Sequence, residues 1–170
     1  AGDTIPALIA VGAVCDIANA EGGRTLAVEE FVTGVGTNAL GEGEFLLGVK
    51  VLTPAKNTRD AYLRFIPRTE MDIAVAGCGV SVTIEADGIC SAARVGIGAV
   101  APTALLVPSA ADALIGTQLD EAALQASGAA CTEASSPISD KRGTADYRRK
   151  VIAVLCRRAV AIAKSRAMGN

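Results

Sequence analysis

The chain has 170 residues, 51% of them hydrophobic and 20% charged, with 16 basic and 18 acidic side chains and a net charge of −2. So apolar and nearly neutral a chain builds a core, which excludes disorder, and its length suits one domain or two small ones at about 100–150 residues each. With no His at all, Ser-His-Asp and Cys-His nucleophile systems and imidazole ligation of zinc or haem are excluded, so any chemistry must lean on something the chain binds.

In chain order, Thr4 to Val11 reads as a short helix, with Pro6 tolerated in the first turn and Ile5, Leu8 and Ile9 at helical spacing. Val14 to Asn19 alternates as a strand, followed by a turn at Glu21-Gly22-Gly23 and a second strand at Thr25 to Val28. Gly34, Gly36 and Gly41 mark an irregular connection. Glu44 to Leu52 reads as a third strand with Phe45, Leu47, Val49 and Val51 on one face. The polar stretch Thr53 to Thr58, with Pro54, marks a boundary.

Beyond it, Ile73 to Ile84 alternates toward Asp87-Gly88, the signal for a two-residue hairpin turn, and Ile89 to Val100 is the partner strand. Gly77, Gly79, Gly96 and Gly98 strip side chains from nearby places in this hairpin, either for a helix packing closely or for an approaching ligand. Three helices then cover one face. Ser109 to Ile115 opens on a Ser-x-x-Asp box with Asp112 at its amino end, Asp120 caps the next, and Thr144 opens the longest, which runs to about Lys164. Its buried stripe is expected at Tyr147, Val151, Val154, Leu155 and Ile162, with Arg148, Arg149, Arg157 and Arg158 flanking it. Strands followed by helices indicate an α+β fold.

The cysteines, Cys15, Cys78, Cys90, Cys131 and Cys156, are widely spaced and odd in number. They read as reduced, buried thiols of a cytoplasmic protein rather than cluster ligands or a disulfide framework. The longest apolar run, Ala7 to Cys15, is too short for a membrane span. Scattered basic residues and few aromatics argue against nucleic acid. The basic run Asp140 to Lys150 reads either as a solvated helix entry or as a surface for an anion or an acidic partner.

Four ordered blocks carry a resemblance: Ala1-Gly2-Asp3-Thr4-Ile5-Pro6-Ala7-Leu8, Gly43-Glu44-Phe45-Leu46-Leu47, Arg64-Phe65-Ile66-Pro67-Arg68-Thr69-Glu70-Met71-Asp72-Ile73-Ala74, and Ile138-Ser139-Asp140-Lys141-Arg142-Gly143-Thr144-Ala145-Asp146-Tyr147-Arg148-Arg149 after Gly98 to Thr103. Together they resemble the FAD-binding medium subunit of molybdenum hydroxylases, the carbon monoxide dehydrogenase and xanthine dehydrogenase family. The resemblance implies the rear part of an FAD-binding α+β domain at residues 1–56. It also implies a C-terminal α+β domain at 57–170, an antiparallel sheet covered on one face by three helices. It implies FAD as cofactor, with an iron–sulfur small subunit and a molybdenum large subunit as partners.

By the same resemblance, Asp3 would accept hydrogen bonds from flavin or ribose hydroxyls, Leu46 would pack beside the isoalloxazine, and Arg64 would lie at the flavin's polar edge. The rival readings are a helix N-cap for Asp3, a core residue for Leu46 and an exposed strand charge for Arg64. Met71 departs from relatives that carry an acid there and receives no role. The family's two glycine-rich phosphate loops precede the Asp3 block, so an upstream FAD-binding half is implied as a further partner, and the chain alone is expected to be inactive. A different class of function is an assembly module of the same fold without flavin.

Overall fold

The computed structural model describes residues 2–68 and 72–169. Helix α1 (Ile5–Ala10) carries Pro6 in its first turn and stops where Gly12 turns left-handed at φ +65°. There Ala13 N–H donates to Leu8 C=O at 3.0 Å and Gly12 N–H to Ile9 C=O at 3.1 Å, the paired bonds with which a left-handed glycine closes a helix. The chain then enters β1 (Val14–Asn19) and β2 (Gly22–Ala27). The turn between them falls earlier than expected because the Asn19 carboxamide accepts the Glu21 and Gly22 N–H groups at 2.9 and 3.0 Å; Val28, expected at the end of this strand, instead opens α2 (Val28–Phe31). A small hairpin of β3 (Val32–Gly34) and β4 (Thr37–Asn38) follows, then β5 (Phe45–Lys50), which joins β1 to give the order β2-β1-β5.

A register shift on β5 corrects the expected single face. Leu46 lies opposite Ile17 and Val49 opposite Cys15, so these two share a side, and the Phe45–Leu47–Val49 alternation is broken by the bulge.

The second sheet runs β6 (Thr58–Phe65), β7 (Ala76–Ile84), β8 (Cys90–Gly98) and β9 (Leu105–Leu106), all antiparallel. The β7–β8 hairpin closes with three residues rather than two. Gly88 N–H donates to Glu85 C=O, Glu85 N–H to Ile89 C=O, and Gly88 is left-handed at φ +83°, so Ala86-Asp87-Gly88 is a turn plus bulge.

Helices α3 (Pro108–Asp112), α4 (Glu121–Ala134) and α5 (Ala145–Ala167) complete the chain. Asp120 caps α4 through Ala123 N–H at 2.9 Å, and Thr144 caps α5 through Tyr147 N–H at 3.1 Å, as the sequence indicates. The Ser109 box does not form. Pro108 takes the first helical turn without a side-chain cap, which moves the start back and leaves Asp112 at the carboxyl end.

The expected stripe on α5 is also rotated. The buried residues are Arg148, Ile152, Leu155, Cys156, Ala159, Val160 and Ala163, whereas Tyr147 is exposed. Arg148 can be buried because its charge and donors are met. Its guanidinium donates to Val75 C=O at 2.8 Å, Ala99 C=O at 3.2 Å and the Asp140 carboxylate at 2.7 Å. Backbone N–H of Arg142 and the Arg148 guanidinium hold the Asp140 carboxyl below its ordinary range. Two further residues of the basic run are paired, Arg142 with Asp72 and Arg149 with Asp146.

The four-stranded sheet is covered on both faces. Ala76, Cys78, Val80, Val82 and Ile84 of β7 join Val95 and Ile97 of β8 and the α4–α5 residues in the main core. The other face carries Gly79 and Gly96, cross-strand partners, and α1 lies on them: a Cβ at either would stand 2.4 or 2.6 Å from the Pro6 carbonyl oxygen. Close helix packing therefore accounts for this glycine pair. All five cysteines are free and buried, and Ser127 hydroxyl and Cys156 thiol lie 3.3 Å apart. Among the described residues no helix is long and apolar enough to cross a membrane.

Candidate cofactor site

Strand periodicity sends Thr58, Asp60, Tyr62 and Arg64 of β6 to one side. Tyr62 and Arg64 stand opposite Gly79 and Gly77, so this is the side on which α1 lies. The segment that leads into α1 delivers Asp3 to the same place, and Arg64 Nη1 and Asp3 Oδ2 form an ion pair between two half-buried side chains. Two of the three residues singled out from the sequence thus meet across 61 positions of chain. Thr4, not Asp3, precedes the helix, and no side chain caps it, so the N-cap reading of Asp3 is set aside. Arg64 is likewise a paired cation rather than a freely solvated strand charge.

Leu46 takes a different place. It stands on β5 opposite Ile17 and is 39% exposed, which is not a core position. Among the described residues no hydrogen bond or ion pair ties β5 to Asp3 or Arg64. Met71 lies outside the described residues.

Tyr62 is the residue the sequence reading missed. Its ring lies over Gly77, where a Cβ would come within 2.9 Å of its hydroxyl oxygen. That oxygen and Asp3 Oδ1 are both buried and both lack a hydrogen-bond partner among the described residues. Burial pushes the Tyr62 phenol up to about 12, with the nearby Asp3 carboxylate adding to the rise and Arg64 opposing it. The phenol therefore keeps its proton at neutral pH. The available signal was the i, i+2 spacing of Tyr62 and Arg64 on a strand, which puts both on one face.

These groups suit a flavin cofactor. A carboxylate oxygen and a phenol, unpaired inside the protein, match the hydroxyl-bearing chain of such a molecule, and the guanidinium matches its polar ring edge. Neither glycine pair serves as a phosphate cradle. Gly77 and Gly79 lie under Tyr62 and α1, and Gly34 ends β3 and Gly36 lies in the turn of a small hairpin that no helix follows. Beside Gly2 a groove of about 490 Å³ is lined by Ile5, Val35, Ile73, Ala99, Ile138 and the buried Arg148, among others. A cleft of about 290 Å³ beyond the other end of α1 is lined by Asp60, Ser81, Thr83 and Arg94 and holds none of the three residues.

Residues 61–163 match the CO dehydrogenase flavoprotein C-terminal domain, and residues 1–54 match the FAD binding domain in molybdopterin dehydrogenase. The chain belongs to the CO dehydrogenase flavoprotein C-terminal domain family. It is 35% identical to the carbon monoxide dehydrogenase medium chain of Afipia carboxidovorans, over 98% of this chain and 57% of that protein. To the nicotine 6-hydroxylase medium subunit of Paenarthrobacter nicotinovorans it is 28% identical, over 98% of this chain and 57% of that subunit. Reconstituted CO dehydrogenase from Oligotropha carboxidovorans superposes with a TM-score of 0.91 at 33% identity, covering 96% of this chain and 57% of that one. Quinoline 2-oxidoreductase from Pseudomonas putida 86 does so with a TM-score of 0.84 at 29% identity, over 96% and 56%. The chain spans little more than half the length of these relatives.

Proposed function

We propose that this chain is part of the flavoprotein subunit of a molybdenum hydroxylase and helps to hold the FAD that receives electrons from iron–sulfur clusters and passes them to an external acceptor. In this reading residues 1–56 are the rear of the FAD-binding domain and residues 57–170 the C-terminal domain. The partners are the upstream FAD-binding half, an iron–sulfur small subunit and a molybdenum large subunit, in the cytoplasm, where five free buried thiols stay reduced. The observation that carries the reading is the Asp3–Arg64 pair with two unpaired polar atoms beside it. It joins the segment that matches an FAD-binding domain to the one that matches the flavoprotein C-terminal domain. That first match also counts against the flavin-free assembly module.

Bound flavin supplies the electron transfer; the chain supplies placement and charge. Asp3 accepts a hydrogen bond through Oδ1 while Arg64 holds Oδ2, which fixes the carboxylate's orientation. Arg64 also brings positive charge to the polar edge of the ring, and Leu46 offers an apolar contact from β5. The edge strand β5 leaves Phe45, Leu47 and Val49 exposed at 41–59%, and Val51 just beyond it is exposed as well. Apolar edges of this kind are normally covered, and the additional length of the relatives is the cover this reading assigns.

The test is reconstitution. Mixed with FAD, the purified chain alone is expected to leave flavin fluorescence and the visible spectrum unchanged. Adding the upstream portion restores quenching and a shifted spectrum. If the two together still bind no flavin, the proposal fails.

A further inference from the structure

Two buried polar atoms without partners, brought to one face of the sheet from distant parts of the chain, are an uncommon arrangement. Nearly all buried polar groups in native proteins find a partner, because leaving one unmet forfeits its hydration for nothing. Here Asp3 Oδ1 comes from the lead-in to α1 and Tyr62 Oη from β6. Arg64, two residues from Tyr62 on the same face, already occupies Asp3 Oδ2, so only Oδ1 is left. The hydroxyl end of Tyr62 lies over Gly77. Packing alone does not call for a polar group there, since it leaves the buried hydroxyl without a partner.

The chemistry of the two atoms limits what can satisfy both. An ionised carboxylate oxygen only accepts, whereas a protonated phenol donates. A single ligand atom that meets both must donate to Asp3 and accept from Tyr62, and a hydroxyl does this. We infer that Tyr62 is a cofactor-positioning residue whose phenol, together with the free Asp3 oxygen, takes up one hydroxyl of the flavin's sugar-alcohol chain. The inference rests on the flavin reading above and adds to it a residue that makes the site specific for a polyol-bearing flavin. Arg64 sets the carboxylate's angle, Gly77 leaves room for the phenol, and the pair then fixes the chain that leads to the ring.

An opposition between stability and binding follows. Without flavin the Tyr62 hydroxyl is an unmet buried group, so its removal relieves a cost. With flavin the same hydroxyl makes a bond. A residue of merely structural importance would lose on both counts.

The test uses the complete flavoprotein subunit that carries this chain, as wild type and as Tyr62→Phe. The FAD dissociation constant is measured by fluorescence quenching, first with FAD and then with FAD analogues that each lack one ribityl hydroxyl; the melting temperature of the flavin-free protein is measured alongside. Tyr62→Phe is expected to weaken FAD binding about tenfold while leaving the flavin-free melting temperature equal or higher. For one deoxy analogue, wild type and variant should bind equally. An unchanged FAD affinity overturns the inference, as does a loss of the same size for FAD and every analogue, or a lowered melting temperature that accounts for the weakening. If the wild-type subunit takes up no FAD at all, the flavin reading itself fails and the inference goes with it.

Discussion

At the residue scale, the Asp3–Arg64 pair makes each charge the other's counterion, which moderates what either does to a bound flavin. Removing the cation takes away a stabilising charge for reduced flavin and also frees the Asp3 carboxylate. Arg64→Ala is therefore expected to lower the flavin midpoint potential by roughly 20–40 mV, taking about 1–2 kcal/mol for a half-exposed charge and a two-electron couple. Spectroelectrochemistry of the complete subunit measures it, and an unchanged potential would return Arg64 to a structural ion pair. A second pair has a pH signature. Glu44 is lowered to about 2 by the Arg24 guanidinium and the Gly41 N–H. A folded value below the unfolded one adds stability above the ordinary carboxylate range, and that contribution is lost as pH falls. The stability difference between wild type and Glu44→Gln should be full above about pH 5 and shrink toward pH 2 in thermal melts; a difference independent of pH would count against the Arg24–Glu44 link.

At the element scale, α1 serves two ends. Its carbonyl backbone sits on the Gly79–Gly96 floor, while the residues just before it carry Asp3 to the candidate site. Gly79→Ala would place a methyl 2.4 Å from the Pro6 carbonyl oxygen, so the helix has to lift. The expected cost is on the order of 1–3 kcal/mol, as for other overpacked positions, together with weaker flavin binding, although Gly79 has no assigned contact with the cofactor. Denaturant unfolding and flavin titration check the two effects. A stable variant with full affinity would mean that α1 tolerates displacement. Gly88→Ala is the natural control, because its surroundings are open and only its left-handed φ is strained.

At the scale of the whole molecule, the segments matching two different families are interlocked, since α1 from the first is part of the second sheet's packing. The four-stranded sheet is closed by α1 on one side and by α3 and α5 on the other, with α4 packed against both helices, whereas the β2-β1-β5 sheet keeps an apolar edge at β5. The reconstitution experiment bears on that edge as well, because the upstream portion assigned to cover it is the one expected to restore flavin binding.

Much of this was legible in the chain itself. Asp120 and Thr144 announced their helices, because capping is a local interaction between a side chain and N–H groups a few residues away. The β7–β8 hairpin followed from alternation, whereas β6, which carries Tyr62 and Arg64, and the two-residue β9 did not, and the four motif blocks identified the family. Where the reading slipped, a distant contact had intervened. The stripe on α5 rotates because Val75, Ala99 and Asp140 make it possible to bury Arg148, and the face of β5 breaks because β1 imposes a bulge. The glycines of the hairpin could have admitted a helix or a ligand; only the position of α1 decides for the helix. The motifs single out Asp3 and Arg64 one at a time and leave Tyr62 out. Their meeting depends on how the sheet and α1 pack, and so does the unmet hydrogen bonding of Tyr62. Local propensity and motif spacing determined the elements and the family, but which polar atoms face one another, and which lack partners, only the tertiary structure decided, because burial and long-range pairing are properties of the packed chain.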